Sequence, residues 1–403
     1  MMTISKDKKL GIYIHIPFCV RKCRYCDFLS FENESAMIHK VYVKALTQEI
    51  KSRSLVYNNN FMVDSIFIGG GTPSLLIPGM IDEIIDSVKY NFNVSVNSEI
   101  TIESNPKTLT PEKLNSYLDA GINRISIGAQ SFNDYLLKIL GRVHLAGDIS
   151  RNFRMARTAG FENINIDLIF GVAAQNMDIW KDTLGRAVDL GPDHVSFYSL
   201  QLEEGTRFHD MLVKGTYVKV SEKLDREMYH FAVKTLKCAG YVHYEISNAA
   251  KSGYECRHNL KYWSLEEYLG VGLGAHSYVN GRRFGNTKDF EGYIAANLEN
   301  QTELPDYGRL QEWEHENSVY DDMSEYMFTS LRKTGGVDIS DFERRFNKPL
   351  KSVYSREWPE IERYIKKGFL ISDAGSLRLS EKGIDISNKI MSEFILSTGR
   401  FER

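Results

Sequence analysis

The stretch from His15 to Cys26 reads HIPFCVRKCRYC and contains three of the five cysteines of the 403-residue chain. Cys19, Cys23 and Cys26 are spaced C-x3-C-x2-C in one short segment that directly follows the apolar run IYIHI. Three clustered thiols cannot all pair with one another and the total number is odd, so a disulfide framework is not expected. Because thiolates bind soft metals and iron–sulfur clusters, the segment predicts a metal or cluster site.

Two kinds of site fit three thiolates. A structural zinc ion takes four ligands, so it would need one more, for which His15 and His39 are the candidates. A cubane cluster held by three thiolates keeps one iron open to a substrate or cofactor, which is typical of catalysis. The spacing favours the cluster, because one short loop can wrap it from one side whereas zinc ribbons join two separated cysteine pairs.

Outward from this segment, six β-rich runs alternate with helical patterns between about residue 11 and residue 247. The runs are IYIHI, DSIFIGGG, EITIES, INRISIGAQ, INIDLIFG and HVSFYSLQL. The ends of the helix predicted after EITIES can be located in the sequence. Thr110 is a candidate N-cap, Pro111 suits the first helical position and Gly121 lies beyond the last turn. The alternation predicts parallel strands with right-handed crossovers, in a doubly wound sheet or a barrel related to the eight-stranded one.

Polar and glycine-rich segments stand where these predicted strands end. They are GGGTP, ESNP, GAQSF and DLIFG. Ligand sites of both architectures lie at the carboxyl ends of the parallel strands. We therefore expect the functional site at that edge, beside the cysteines.

The pattern changes after about residue 250. The segment RHNLKYWSLEEYLGVGLGAHSYVNGRR is rich in Gly, Tyr and His and predicts loops and short elements over the sheet. From about residue 305 the pattern is mostly helical, with a two-stranded wing around GFLISDAGSLRLS that resembles a winged helix. We predict three regions: residues 1–250 with the cysteine site, residues 251–304 as a connector, and a helical domain over residues 305–403.

Composition excludes several classes of protein. Hydrophobic residues make up 42% and charged residues 26%, and the net charge of −3 gives no broad basic surface for nucleic acid. No apolar run approaches the roughly 20 residues that span a bilayer. The N-terminal MMTISKDKKLGIYIHI lacks the features of a signal peptide, so we expect a cytoplasmic protein with reduced thiols.

The motif C-x3-C-x2-C directly after a first strand resembles the signature of radical S-adenosylmethionine (SAM) enzymes. The resemblance implies a [4Fe–4S] cluster on Cys19, Cys23 and Cys26, with SAM on the open iron and an electron from the cluster cleaving SAM to a 5′-deoxyadenosyl radical. It also implies a partial barrel of six units. The predicted fold class is therefore α/β, a partial (β/α)6 radical SAM barrel with a small C-terminal, mainly helical and winged-helix-like domain.

The resemblance extends over most of the chain to the oxygen-independent coproporphyrinogen III oxidase family. It is carried by YIHIPFC, GGGTPS, IGAQSF and DLIFG. It implies a SAM site made of residues at strand ends, namely Tyr13, Gly70, Gly71, Thr72, Glu103, Gln130, Arg142 and Asp167. The glycines would let the backbone approach the ligand, the carboxylates would accept hydrogen bonds from it, and Arg142 would grip its carboxylate in a bidentate manner.

Two features separate the branches of this family. The oxidases carry a further cysteine two residues after the third and an N-terminal extension, whereas here Phe28 holds that position and 18 residues precede Cys19. HNLKYW, from His258 to Trp263, resembles the H-N-x-x-Y-W signature of the haem chaperones, bacterial proteins that deliver haem to apo-haemoproteins such as respiratory enzymes. That resemblance implies His258 as an exposed axial haem ligand, with Tyr262 and Trp263 against the porphyrin.

Other side chains leave alternatives open. His276 in GLGAHSY and Cys256 are further candidate haem ligands. Cys238 ends an amphipathic stretch and is expected to be a small buried hydrophobe.

The sequence predicts a haem chaperone with a SAM-binding [4Fe–4S] cluster, and it leaves open whether the protein is an enzyme. The alternatives are an oxygen-independent coproporphyrinogen III oxidase of porphyrin biosynthesis and another radical SAM enzyme that acts on haem. The expected partners are haem, membrane-associated apo-haemoproteins and a flavodoxin- or ferredoxin-like electron donor, with no nucleic acid. The protein is expected to be a monomer or a cluster-dependent dimer with at most peripheral membrane contact.

Overall fold

A computed structural model describes residues 8–299, 307–373 and 375–396. Residues 8–250 alternate between strands and helices. The strands are β1 (Lys9–Ile16), β2 (Phe18–Cys19), β3 (Phe31–Glu32), β4 (Met62–Gly70), β5 (Val94–Ser104), β6 (Arg124–Gln130), β7 (Asn163–Phe170), β8 (His194–Ser199), β9 (Val242–Glu245) and β10 (Asn248–Ala250). The helices are α1 (Ala36–Tyr57), α2 (Met80–Asn91), α3 (Pro111–Asp119), α4 (Asp134–Leu140), α5 (Ala146–Ala159), α6 (Met177–Leu190), α7 (Arg207–Val213) and α8 (Glu222–Cys238), with 3-10 turns at Asn58–Asn60 and Pro73–Leu75.

The six predicted β-rich runs form the parallel core of the sheet. Strands β1, β4, β5, β6, β7 and β8 lie side by side in chain order, and each neighbouring pair is parallel. The two edges of the sheet do not pair with each other in the described residues, so the barrel is partial. The predicted fold class is confirmed. Helix α7, between β8 and α8, was not predicted.

Strand β1 shows how the sequence builds the two faces of the sheet. Ile12 and Ile14 belong to the main hydrophobic core, together with Leu46 of α1. Tyr13 and His15 alternate with them and therefore lie on the opposite face, the inner face of the partial barrel. There the phenol oxygen of Tyr13 lies 2.9 Å from Nδ1 of His15. On β1, the inner face of the sheet is therefore polar, whereas the outer face is apolar and covered by helices.

Residues 251–299 extend the sheet. They form α9 (Arg257–Trp263), β11 (Tyr268–Val271), β12 (His276–Val279), β13 (Arg282–Asn286) and α10 (Phe290–Leu298). Strand β11 pairs parallel with β1, and β12 and β13 follow antiparallel. The short elements expected for this segment are present, but its strands extend the sheet instead of lying over it. Its glycines make the turn between β11 and β12, where Gly272 and Gly274 have φ values of 98° and 68°.

The C-terminal region is mainly helical. Its elements are α11 (Tyr307–Leu310), β14 (Gln311–Glu316), α12 (Val319–Ser330), β15 (Val337–Asp338), α13 (Ile339–Phe346), α14 (Leu350–Val353), α15 (Trp358–Lys366), β16 (Leu370–Asp373), β17 (Ser376–Leu379), α16 (Glu381–Ile384) and α17 (Ser387–Ser392). Strands β16 and β17 form the predicted wing, and β15 adds a third strand to it. Strand β14 was not predicted and pairs with β13 at the edge of the large sheet. The expected boundary between residues 304 and 305 lies outside the described residues, as does residue 374 of the wing.

The C-terminal region has a second hydrophobic core, which includes Leu265 and Tyr278 of the preceding segment, and polar contacts also join it to the barrel. The Thr334 amide donates to the Tyr244 carbonyl at 3.0 Å, and Arg345 donates to the Leu265 carbonyl at 2.9 Å. Cys238, the last residue of α8, is exposed, so the expectation that it is buried was wrong. None of the described helices has the length and apolar character needed to cross a membrane.

Candidate functional site

The three clustered cysteines lie in one loop at the carboxyl end of β1. Cys19 is buried in β2, which pairs with β3. The Cys26 amide donates to the Cys23 carbonyl at 3.2 Å, which closes the turn between them. The Arg24 amide donates to the Leu140 carbonyl at 3.0 Å and so fastens the loop to the end of α4. The loop is therefore held from both sides at the predicted edge of the sheet.

Polar groups contact the thiols directly. Sγ of Cys19 lies 3.6 Å from Oγ1 of Thr72, and Nη1 of Arg142 donates to Sγ of Cys23 at 3.3 Å. Burial raises the pKa of Cys19 and raises the pKa of Cys26 to about 12. The two thiols therefore keep their protons unless a bound metal stabilises the thiolates. This donor set fits an iron–sulfur cluster.

The zinc alternative gains no support from the geometry. Among the described residues no group of three or more Cys, His, Asp or Glu side chains could hold a single metal ion. Both ring nitrogens of His15 are engaged, with Tyr13 and with the Leu29 carbonyl at 2.9 Å each. The His39 ring packs on the Phe18 ring at 4.2 Å. A cubane binds each thiolate at a different iron, so it does not need the three sulfurs to converge on one point.

The glycine segment at the end of β4 approaches the cysteine loop more closely than any side chain allows. Gly70 has a φ of 109°, and a Cβ there would lie 2.5 Å from the His15 ring. A Cβ on Gly71 would lie 2.7 Å from the Phe18 carbonyl oxygen. The Gly70 amide donates to Oε2 of Glu103 at 3.1 Å. Glycine is therefore required at both positions.

Two partly buried carboxylates lie beside this segment, Glu103 on β5 and Asp167 on β7. Burial and the nearby charge of Asp167 raise the pKa of Glu103 to about 8. Asp167 accepts from the Ser126 hydroxyl at 2.7 Å and from the Asn165 amide at 2.8 Å. Neither carboxylate forms an ion pair with a described residue. Such a pair attracts a cationic ligand, and SAM carries an ammonium and a sulfonium.

Arg142 and Gln130 converge above Gly128. A Cβ on Gly128 would lie 3.0 Å from Nε2 of Gln130 and 3.2 Å from Nη2 of Arg142. Gln130 follows an irregularity in the pairing of β6 and has a φ of 65°, which turns its amide back over the strand end. Nη2 of Arg142 donates to the Gly128 carbonyl at 2.7 Å. Both terminal nitrogens of Arg142 thus contact protein atoms, and its bidentate grip on a ligand carboxylate stays a prediction.

Asn105 is a site residue that the sequence reasoning did not single out. Its Nδ2 donates to Oγ1 of Thr72 at 2.7 Å, and its Oδ1 accepts from Nη2 of Arg142. It thereby links the glycine segment to the guanidinium beside Cys23. Together with Cys23, these three residues line a small cleft beside the cysteine loop. The signal was present in ESNP, where Asn105 follows a predicted strand end and precedes a proline.

His258 lies in α9 and is buried, with only 1% of its surface exposed. Glu99 caps the helix, because its Oε1 accepts from the His258 amide and its Oε2 from the Arg257 amide, both at 3.0 Å. The ring nitrogens are engaged as well, Nδ1 with the Ser65 hydroxyl and Nε2 with the Tyr262 hydroxyl, at 2.9 Å each. The expected exposed imidazole is therefore wrong for this conformation.

His258 also lies far from the cysteines. Ser65 precedes Gly70 by five residues, which corresponds to roughly 16 Å along a strand. The Phe67 ring fills the space between the two ends and contacts the rings of Tyr13 and His258, with centroids 6.3 and 5.4 Å away. Burial, helped by nearby cations, lowers the pKa of His258 to about 3.

The other candidate haem-contacting residues are also placed by the structure. The Tyr262 ring packs on the Tyr268 ring at 4.5 Å, and the Trp263 ring packs on the Arg332 guanidinium at 4.3 Å. Cys256 is fully buried and its thiol donates to Glu99 at 3.5 Å. Of the alternatives, only His276 is exposed. Haem ligation by His258 stays a prediction and requires its ring to leave both hydrogen bonds.

Comparison with known proteins agrees with this geometry. The family model "Radical SAM superfamily" matches residues 13–187, and the model "HemN C-terminal domain" matches residues 318–386. The solved structure of coproporphyrinogen III oxidase (HemN) from Escherichia coli, described as a radical SAM enzyme, aligns with a TM-score of 0.83. The alignment covers 98% of this chain and 91% of that one, at 22% identity, and shows the fold. The molecule therefore has the radical SAM fold of the HemN type, a class that implies a [4Fe–4S] cluster and SAM.

Curated relatives narrow the class. "Heme chaperone HemW" of Bacillus subtilis (strain 168) is 34% identical over 95% of this chain and 98% of its own length. The protein of the same name from Escherichia coli (strain K12) is 32% identical over 96% of this chain and 98% of its own length. "Radical S-adenosyl methionine domain-containing protein 1, mitochondrial" of Mus musculus is 30% identical over 96% of this chain and 87% of its own length. The chain belongs to the HemW family.

Proposed function

We propose that the protein binds haem and delivers it to apo-haemoproteins, and that it carries a SAM-binding [4Fe–4S] cluster. The observation that carries this proposal is the similarity, over almost the full length of both chains, to several proteins named heme chaperones. The segment HNLKYW and the absence of a fourth clustered cysteine at Phe28 support it. Haem is the cargo in this proposal, and the cluster is the resident group.

The cysteine loop would hold the cluster through Cys19, Cys23 and Cys26. When bound, a reduced cluster of this kind can supply one electron to SAM. The chain's own contribution is positional. Arg142 donates a hydrogen bond to Sγ of Cys23 and so holds this side chain in place, and Thr72 contacts Cys19.

The SAM-binding residues of the proposal are Tyr13, Gly70, Gly71, Thr72, Glu103, Gln130, Arg142 and Asp167. The backbone of the glycine segment would approach the ligand, and the two carboxylates would neutralise its positive charges. The raised pKa of Glu103 supports this role, because a cation beside it would favour the ionised form that the protein alone disfavours.

The alternative function is that of an oxygen-independent coproporphyrinogen III oxidase. The fold similarity to the E. coli oxidase is the observation that favours it. Against it, the position of the oxidases' further cysteine is held by Phe28, whose side chain is 57% exposed and cannot ligate iron. A third possibility, another radical SAM reaction on haem, would give a modified porphyrin as product.

The first experiment is an anaerobic haem titration of the cluster-reconstituted protein, followed by absorbance. The haem-loaded protein is then mixed with apomyoglobin, and transfer is read from the myoglobin spectrum. Stoichiometric binding and transfer of unmodified haem would support the chaperone. Failure to bind haem, together with turnover of coproporphyrinogen III, would overturn it in favour of the oxidase.

The proposal also includes partners and a place of action. Acceptors would be apo-haemoproteins at the membrane, met by peripheral contact from the cytoplasm, and a flavodoxin- or ferredoxin-like protein would reduce the cluster. The exposed basic side chain of Arg207, 65% accessible, lies beside the cysteine loop through its contact with Glu32 and would favour an acidic donor. Sedimentation with and without the cluster would separate a monomer from a cluster-dependent dimer.

A further inference from the structure

The ten histidines of the chain differ sharply in how their rings are used. Two of them, His276 and His315, are exposed. The His315 ring lies 3.7 Å from the carboxylate of Asp321. No described residue forms a hydrogen bond or an ion pair with the His276 ring. Partial burial and the charge of Lys288 lower the pKa of His276, which leaves the imidazole neutral with a free lone pair.

His276 lies on the inner face of the partial barrel. Tyr268 of β11 pairs with Tyr278 of β12. The Tyr268 ring contacts the Tyr262 ring, and the Tyr262 hydroxyl is hydrogen-bonded to His258 inside the barrel. Paired residues share a face and residues two apart in a strand share a face, so His276 faces the same side as Tyr278. The imidazole is thus directed toward the concave side that also carries Tyr13.

His276 also lies at the end of the sheet that carries the cysteine loop. A Cβ on Gly272, in the turn before β12, would lie 2.7 Å from the His15 carbonyl oxygen. A Cβ on Gly274 would lie 2.9 Å from Cδ2 of Leu29, three residues after Cys26. The turn that leads into His276 therefore packs directly against the segment that follows the third cysteine.

An aromatic wall stands beside the free imidazole. His276 pairs with Gly285 of β13, and Gly285 pairs with Trp313 of β14, so the three positions form one row across the sheet. The indole lies over Gly285, which has no side chain to displace it. The rings of His276 and Trp313 are 5.2 Å apart at 89° to each other, and the indole is 38% exposed.

We propose that His276 is the axial ligand of the haem iron and that Trp313 packs against the porphyrin. This inference rests on the proposed function, and it names the residue that receives the cargo. The neutral imidazole coordinates the iron through its lone pair, and neither the oxidation state of the iron nor the protonation of the ring changes. A ligating imidazole stands perpendicular to the porphyrin plane, and the indole is also perpendicular to the imidazole, so indole and porphyrin can lie parallel.

The surroundings suit the carboxylates of haem. Lys288 is 60% exposed, and its one ion pair with a described residue, Glu312 at 3.8 Å, is a surface pair of little energy. Its ammonium is therefore free to turn toward a propionate. Binding here leaves His258 in its hydrogen bonds and needs no opening of the buried end of the barrel.

The test is a haem titration of the full-length chain, with and without exogenous imidazole. His276→Gly should weaken haem binding at least about tenfold and change the Soret band from that of an imidazole complex. Imidazole added to this variant should restore the band, which a merely structural effect would not do. Trp313→Ala should weaken binding about threefold to tenfold while the imidazole-type spectrum remains. The matched control is His315→Gly, two residues after Trp313 on β14 and on the same face of the sheet, which should bind as the wild type does.

The outcomes separate this inference from the proposed function. Wild-type binding that is unchanged in His276→Gly overturns the inference while haem binding stands, and loss in His258→Ala would then assign the ligand there. Loss of binding in His276→Gly without rescue by imidazole also overturns the assignment as ligand. If the wild type binds no haem, the proposed function fails and the inference fails with it.

Discussion

The parallel sheet carries the cysteine motif at one end and the HNLKYW motif at the other. The polar groups at the two ends differ in how far the protein itself satisfies them. At the carboxyl ends of the strands, Glu103 and Asp167 form no ion pair with a described residue, and the thiols of Cys19 and Cys26 have raised pKa values. At the other end, both ring nitrogens of His258 have partners. Unsatisfied bonding capacity marks a site prepared for a ligand, whereas complete satisfaction marks a structural network. A motif that resembles a binding signature can thus be a closed part of the fold.

The largest effect is expected at the cysteine loop. Cys23→Ser removes one of three thiolates and should abolish the iron–sulfur absorbance after anaerobic reconstitution, because a hydroxyl is a poor ligand for the cluster. The control is Cys238→Ser, an exposed cysteine at the end of α8, which should retain full absorbance. A four-iron cluster that persists in Cys23→Ser would show that the open end of the sheet is not a cluster site.

The glycine segment gives the next largest effect. Gly70→Ala combines a positive φ with a clash against the His15 ring, so it should destabilise the protein by about 2–4 kcal/mol in urea unfolding and abolish SAM binding in equilibrium dialysis. Gly79→Ala is the matched control, because Gly79 also has a positive φ, of 87°, but nothing lies within 4 Å of its Cβ position. It should lose only about 1 kcal/mol and still bind SAM. Equal losses in the two variants would show that close approach at Gly70 is unimportant.

Burial of His258, at the end of the sheet opposite the cysteines, should be visible in the pH dependence of folding stability. The pKa of His258 is lowered to about 3 in the folded state, whereas an unfolded histidine titrates near 6.5. The unfolded state therefore binds more protons below pH 6.5, and stability falls as the pH is lowered from 6.5 toward 3. At pH 5 this contribution is roughly 2 kcal/mol, which His258→Gln should remove from the pH dependence of unfolding.

A second variant sharpens this measurement. Ser65→Ala removes the partner of Nδ1 but keeps the imidazole buried, so it should lower stability at every pH and leave the pH dependence in place. If His258→Gln has the same pH dependence as the wild type, the imidazole is open to solvent in solution and the contrast between the two ends does not hold.

Local signals and long-range contacts explain which parts could be predicted. The six parallel strands were predictable because each is an apolar run followed by a helix, and the cysteine and glycine segments are local patterns. Strand β14 was missed because QEWEHE has little apolar character, and its pairing with β13 decides its conformation. His258 of helix α9 was expected to be exposed because the resemblance to the haem chaperones implied an axial haem ligand. Its burial depends on Glu99 and Ser65, which lie more than 150 residues earlier in the chain.

The same distinction applies to single site residues. Cys19, Cys23 and Cys26 were found by spacing, and the structure places them in one loop. Asn105 was not predicted as a site residue. Its role depends on Thr72 and Arg142, which two other parts of the chain bring next to it. The exposure of His276 and the hydrogen bonds of His258 are likewise products of the assembled sheet, which no local pattern encodes.

The smallest expected effect concerns Glu103, whose pKa is raised to about 8 from an ordinary value of 4.5. Between these values the folded state binds more protons than the unfolded state, so stability falls as the pH rises from 4.5 through 8. Raising the pH from 6 to 7 should cost the ligand-free protein about 1 kcal/mol through this group, and Glu103→Gln should remove that cost. Asp167→Asn should reduce it in part, because the Asp167 charge is the second cause of the raised pKa. Saturating SAM should also reduce it in the wild type, since its positive charges would stabilise the ionised carboxylate. A pH dependence that SAM leaves unchanged would mean that the cation binds elsewhere, and the open end of the sheet would then lose its assignment as the SAM site.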